Sequence, residues 1–366
     1  MSGETILRAD PQFGLLHRGT EKLAESKTLL QIIPYLDRMD YVANLFQEHA
    51  YVGAIEGLFE RDTRPHIYLY RMIFDELSRV LNHLLTMSAI CLDMGAMGPI
   101  FWAFEEREQI MEIFERVSGA RMHTALYRPF DLAPYWCYPT LRADLVYLVN
   151  RGSRFVSGSF MALLNNRAFK TRLSGVGRIT GPKALSYGIT GIIGRSSGLA
   201  TDLRLASGTL YGLRYSTQHL RSFLGLQGDC FDRFIVRSKE IIESFRLILQ
   251  LLSIRADNTA GKARYRTMED IINHFKESVA LHPKPNKVSD YYVESPKGVF
   301  GSILVNNGHL EPYRCAFRTP VGANMNLISN FSNNTSFADF VATFCSIDVV
   351  LGEIDRIKWT KDFSID

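Results

Sequence analysis

One face of residues 34–51, PYLDRMDYVANLFQEHAY, carries six polar side chains that could act on a bound molecule. Asp37, Asp40, Tyr41, Asn44 and Glu48 recur at i, i+3, i+4, i+7 and i+11, one face of a helix, with Arg38 beside them. Two readings compete. The face is solvated, or it lines a cavity. Tyr41 argues for the cavity, because it sets a large aromatic in the middle of the polar face. Its phenol donates and accepts, and its ordinary pKa is about 10. Such a group suits a hydrogen bond to a carbonyl oxygen.

A second polar set, Asp75, Arg79, Asn82 and His83, interrupts an apolar run. It reads as the polar stripe of an amphipathic helix, with His83 structural rather than a ligand. Asp93 stands at the end of that run, beside Gly95. A carboxylate there opposes the helix dipole, so it needs a partner or a function. Two basic groups follow a different logic. HRGTEK (17–22) gathers His17, Arg18 and Lys22, and ERVSGARMH (115–123) carries Arg116, Arg121 and His123. Buried arginines hold fixed positive charge, which favours electron addition at a nearby redox centre. His123 could couple a proton to that electron. The plain alternative is a set of surface basic residues.

The elements that must position these groups are mostly helical. Periodicity predicts helices over 20–33, about 38–59, 66–92, 101–117, roughly 141–166, 236–255, 266–279 and 336–347. Residues 171–230, richer in Gly, Ser and Thr, read as irregular with short helices. Strand character marks 289–305 and 311–318, with a turn at Asn306-Asn307-Gly308 between them. The fold class is α+β, mainly helical, with a small antiparallel sheet near the C-terminus. A single domain over 1–366 is expected: a helical core at about 20–280, a β region at about 289–318, and a C-terminal helix and tail at about 336–366.

Composition narrows the function. The formal charge of +4 is small for 366 residues and no Lys/Arg run concentrates it, which argues against nucleic-acid binding. The five cysteines, at 91, 137, 230, 315 and 345, form no CxxC pair and fit a reducing compartment. No signal or transit peptide is recognisable, and no window of about 18 residues is free of charge.

Nine blocks occur in order: GLLHRGTEKL, PYLDRMDYV, LNHLLTMSAICLDMGAMGP, FEEREQIMEIFERVSGARMH, LLNNR, GDCFDRF, ESPKGVFG, PYRCAFRTP and LGEIDR. Together, from Gly14 to Arg356, they resemble the 49 kDa-type subunit of respiratory complex I, a relative of the large subunit of nickel–iron hydrogenases. The resemblance implies a hydrogenase-large-subunit-like helical bundle. Where such a hydrogenase has RxCxxC, this chain has Arg38 to Ala43. Where it has DPCxxC, this chain has Gly352 to Arg356. Without thiolates there is no nickel cage. The resemblance implies instead a cavity for the ubiquinone headgroup. In it Tyr41 bonds a quinone carbonyl, and Asp93 belongs to a charged network that resupplies protons. Arg18, Arg38 and His123 lie near a 4Fe–4S cluster held by a neighbouring subunit.

The family pattern also has a β-rich segment with GPQHPxxHG, which this sequence does not contain. A separate chain supplying it is one expectation. GlnGluHis at 47–49 and the loop at 128–139 also depart from the family, and residues 357–366 extend past its usual end. The implied partners are the terminal-cluster subunit, the 30 kDa-type subunit, a ferredoxin-like subunit and the membrane-arm subunit of the quinone tunnel. The implied location is the mitochondrial inner membrane, peripheral on the matrix side. The alternatives are a scaffold that has lost part of the quinone site, or a plastid-type or hydrogenase-related quinone reductase subunit. No GxGxxG loop for NADH is present.

Overall fold

The computed structural model describes residues 1–59, 63–132, 138–215, 218–254, 267–279 and 283–355. Its centre is α1 (Asn44–Phe59), enclosed on all sides: only Gly57 and Phe59 escape full burial. Asp40 turns the chain into this helix, its Oδ1 accepting from the amides of Val42 and Ala43 at 3.2 and 3.3 Å. One side of α1 packs on a sheet close to its C-terminal third. Gly53 makes this approach possible, since a Cβ there would come within 2.6 Å of the Tyr291 ring.

Against α1 packs α2 (Pro65–Asp93), and the other long helices are α3 (Gly98–Ser118), α4 (Leu141–Phe155) and α5 (Cys230–Ser253). Helix α2 packs against both α3 and α5, and α4 packs against α5. Pro65 begins α2 where its missing N–H costs nothing. Gly95, at φ +84°, ends it, and the Ala96 amide closes back on the Cys91 carbonyl at 2.9 Å. Then come α6 (Met268–Val279) and α7 (Phe337–Ile347). The sheet is a meander of β1 (Lys287–Ser295), β2 (Gly298–Asn306) and β3 (Arg314–Arg318), antiparallel in the order β1-β2-β3. The described fold is therefore mainly helical with small antiparallel sheets. Among the described residues no helix is long and apolar enough to cross a membrane.

Where sequence expectation and structure differ, the causes are local. The predicted helix at 20–33 is two short pieces, Thr20–Ala24 and Ile33–Leu36. The Ser26 hydroxyl bonds the Leu23 carbonyl, the Leu29 amide bonds Leu310, and Pro34 sits in the first turn of the second piece instead of closing the first. The strand read over 289–305 is a hairpin in which Ser295 pairs with Gly298 across Pro296-Lys297. Proline cannot sit inside a central ladder. The helix predicted from Arg38 begins at Asn44, so positions 37, 40, 41, 44 and 48 do not form one helical face. Residues 38–43 are a turn, and α5 starts at Cys230, six residues earlier than the periodicity at 236 suggests.

Candidate functional site

The turn at 37–43 is pinned from below by one buried cation. Lys297, at the tip of the β1–β2 hairpin, is only 3% exposed. Its ammonium donates to both carboxylate oxygens of Asp40 at 2.7 Å and to Asn82 Oδ1 at 2.9 Å. Asn82, on α2, donates to Asp348 Oδ2 at 2.6 Å. Burial pulls the Lys297 pKa down, but the carboxylates of Asp40, Asp348 and Glu353 outweigh it and hold the group above its ordinary value. Burial likewise raises Asp348, and Lys297 and Arg237 overcome it, so its carboxyl lies below the usual range. Asp348 sits in the left-handed region at φ +61°, ending α7. This hub joins the turn, the hairpin, α2 and the segment after α7.

That last segment also touches the turn directly. Gly352 lies so close that a Cβ would come within 2.6 Å of the Met39 carbonyl oxygen and 3.3 Å of that of Arg38. Asp355 then clasps the N-terminal region. Its Oδ1 accepts from the Gly14 amide at 2.9 Å, its Oδ2 accepts from Leu16 at 2.8 Å, and its carbonyl meets His17 Nδ1 at 2.7 Å. The two stretches 38–43 and 352–355 are thus in contact. Gly352→Ala is expected to push them apart at a cost of about 1–3 kcal/mol, since the obstacle is backbone and cannot rotate away. Thermal unfolding of the variant against the parent measures this.

The predicted site residues take varied positions. Tyr41 is 43% exposed at the crest of the turn, and Arg38 beside it is exposed, donating to the Pro34 carbonyl at 2.6 Å. Arg18 is exposed in the loop held by Asp355. His123 is half-buried, and its charge, like that of Arg38, acts on the buried Asp37. Asp93 is exposed at the end of α2 and neighbours Cys345, whose thiol is raised by burial first and by Asp93 second. Arg116 and Arg121 are not buried as a redox-tuning role requires. They are surface residues paired with Glu112 and Asp144, and with Glu108.

The supposed polar faces are mostly dry. Asp37, Asp40, Asn44 and Glu48 are buried, and so are Asp75, Arg79, Asn82 and His83. His83 Nε2 lies 3.0 Å from Glu240 and its pKa is lowered by burial, a structural histidine. His49 Nδ1 meets Asp75 at 2.6 Å, and the Tyr127 hydroxyl donates to the other oxygen of Asp75 at 2.8 Å. A larger ionic cluster fills the core between α2 and α5: Arg79 with Glu76, Arg204 with Asp202, and Arg195 with Glu240 and Glu294. Among the described residues, no group of three His, Cys, Asp or Glu is placed to hold a metal ion.

Sequence reasoning missed Lys297 and Asp348. The Pro296-Lys297-Gly298 triplet is a turn signal, and a lone lysine between apolar strands could have marked a buried cation. The loop at 128–139 lies partly outside the described residues, as do Cys137, Arg356 and 357–366.

The family model for the respiratory-chain NADH dehydrogenase 49 kDa subunit matches residues 93–356. The chain belongs to that family. Similar relatives cover nearly all of it. The NADH dehydrogenase [ubiquinone] iron-sulfur protein 2 of Nephroselmis olivacea is 40% identical, over 97% of this chain and 91% of the relative. The NADH-ubiquinone oxidoreductase 49 kDa subunit of Paramecium tetraurelia is 39% identical, over 97% and 94%. The iron-sulfur protein 2 of NADH dehydrogenase [ubiquinone] from Arabidopsis thaliana is 39% identical, over 97% and 92%. For a 49 kDa-family chain, the DRMDY turn, the Lys297 hub and the 352–355 segment are one connected unit.

Proposed function

We propose that this chain is the quinone-site subunit of an NADH:ubiquinone reductase coupled to proton translocation, active only within the complex. The contact of Gly352 with the Arg38 and Met39 carbonyls, above the Asp40–Lys297 pair, carries the reading. In this reading the frame is hydrogenase-like, and the two stretches that take the place of its thiolate motifs meet with charged pairs and a phenol instead of sulfur. Tyr41, Arg38, Arg18 and Asp93 lie on exposed surface of this chain. A neighbouring subunit would close over that surface and hold the 4Fe–4S cluster that supplies the electrons.

In this reading the Tyr41 hydroxyl donates to a carbonyl oxygen of the headgroup, and Asp40, locked by Lys297, fixes the turn that aims it. Arg18 and Arg38 place positive charge toward the partner's cluster, and His123 exchanges a proton there. Asp93, at the far end of the Asn82–Asp348–Cys345 line, sets charge for proton supply. The other partners are the 30 kDa-type, ferredoxin-like and membrane-arm subunits. The membrane contact is peripheral, on the matrix face of the mitochondrial inner membrane.

Tyr41→Phe tests the assignment. The assembled complex is expected at normal abundance, because the ring is half exposed and Phe keeps it. Loss of one hydrogen bond to the bound carbonyl should lower kcat/KM for quinone about tenfold. Electron transfer from NADH to a water-soluble acceptor that reacts upstream should not change. Unaltered quinone kinetics in an assembled variant would favour the scaffold alternative.

A further inference from the structure

Asp37 and Glu48 stand apart from every ion pair of the site. Both are wholly buried, and among the described residues neither has a lysine, arginine or histidine nitrogen within 4.0 Å. Both face the same short stretch of chain after His123. Asp37 Oδ2 accepts from the Ala125 amide at 2.9 Å, Glu48 Oε2 from the Tyr127 amide at 2.8 Å, and Glu48 Oε1 from the Thr124 hydroxyl at 3.2 Å. The two carboxyl groups are within hydrogen-bonding reach of each other. Asp37 Oδ1 is buried and has no donor. Two negative charges side by side without a cation are not tolerated in a dry interior, and an orphaned carboxylate oxygen there is costly. One proton removes both problems at once.

We propose that Asp37 and Glu48 share a single proton at neutral pH, and that this proton holds the Arg38–Tyr41 turn against the segment 122–127. They are positioning residues: Glu48 is fixed in α1, Asp37 opens the turn, and the bridge between them sets where Arg38 and Tyr41 project. The surrounding charges agree. On the turn, Arg38 favours ionised Asp37. From the facing segment, His123 acts on Asp37 and Arg128 acts on Glu48. On α2, Asp75 is engaged by His49 and Tyr127; in the turn, Asp40 is engaged by Lys297. None of these supplies a direct counter-charge. Burial raises both carboxyls, Glu48 more strongly, with Asp37 reinforcing it.

The folded state binds this proton at pH values where an unfolded glutamate has lost it. The single-proton bridge is complete at neutral pH; the pair takes up a second proton in acid and loses the shared one as pH rises through the raised folded value. The proton count does not depend on the function proposed above. Its consequence for quinone reduction does rest on that function.

Hydrogen exchange of the Ala125 and Tyr127 amides in the assembled complex, corrected for intrinsic rate, separates the two. In the parent protein their protection should fall about tenfold per pH unit once the pair loses its proton in the alkaline range. In Glu48→Gln, whose amide donates to Asp37 and cannot ionise, protection should stay flat. Quinone reduction in that variant, relative to its own value at neutral pH, should persist about one unit further into alkali than in the parent. Protection that is pH-independent in the parent, or pH-dependent alike in both, overturns the shared proton. Flat protection in the variant with an unchanged alkaline limb overturns the link to Tyr41 and leaves the pair standing.

Discussion

Lys297→Met is expected to abolish quinone reduction and to lower the melting temperature of the assembled complex. Methionine keeps the length of the side chain and removes its charge. Asp40 and Asp348 then stay buried or half-buried without their shared cation, and Asn82 loses a donor. Breaking a buried pair from one side costs about 3–5 kcal/mol. Function suffers beyond stability, because Asp40 also turns the backbone at Val42 and Ala43 and so aims Tyr41. The pH dependence of the parent follows from the two directions of shift. The raised Lys297 contributes below its unfolded pKa of about 10.4, and that contribution fades as pH climbs through the folded value. The lowered Asp348 contributes above about 3.9 and fades as pH falls through its folded value. Neutral pH therefore lies on a plateau. Differential scanning calorimetry with a quinone reductase assay checks the prediction. Adding Asp40→Asn should recover part of the lost stability but not the activity. A Lys297→Met complex that melts with the parent would show that the hub is not held by charge.

Arg195→Met is expected to prevent the subunit from accumulating at all. The Arg195 guanidinium is fully buried, with nitrogens 2.7 Å from Glu240, 2.7 Å from Glu294 and 3.9 Å from Asp202. Burial pushes the Glu240 carboxyl up, yet Arg195, His83 and Arg204 hold it well below the usual range. Removing the arginine strands these carboxylates in the core. A loss of about 3–5 kcal/mol is a large part of the roughly 5–15 kcal/mol that keeps a domain folded. Steady-state immunoblots and native gels should show the complex missing. Arg195→Lys should restore a fraction, since one ammonium cannot reach every acceptor that the fork spans. Normal assembly of Arg195→Met would mean that water or protonation already compensates the cluster.

The long helices were legible in the sequence because periodicity and punctuation agree in them. Residues 65–93 carry Pro65 at one end and Gly95 past the other, and 98–118 stops at Gly119. The turn at 37–43 was not legible, because its polar residues happen to repeat at helical intervals while a long-range lysine decides the backbone. Spacing alone could not tell a wet face from a dry one. Asp75, Asn82 and His83 look like a solvent stripe until their partners arrive from α1, the β1–β2 hairpin and α5. The turn's phenol, carboxylates and arginine could be singled out by type. Which of them pair could not be read, since Lys297 meets Asp40 across 257 positions.

The clasp of Asp355 on the Gly14–His17 loop has a temporal consequence. Its bonds close across as many as 341 positions. A ribosome must make nearly all of the described chain before the Arg18 loop can find its anchor, and closing so distant a contact is slow. During that interval α1 and α2 can already be packed, while the surface on which the proposed cluster-bearing neighbour would dock is still unformed. Docking of that neighbour would thus be deferred until translation has passed residue 355, a timing control written into the position of a single carboxylate.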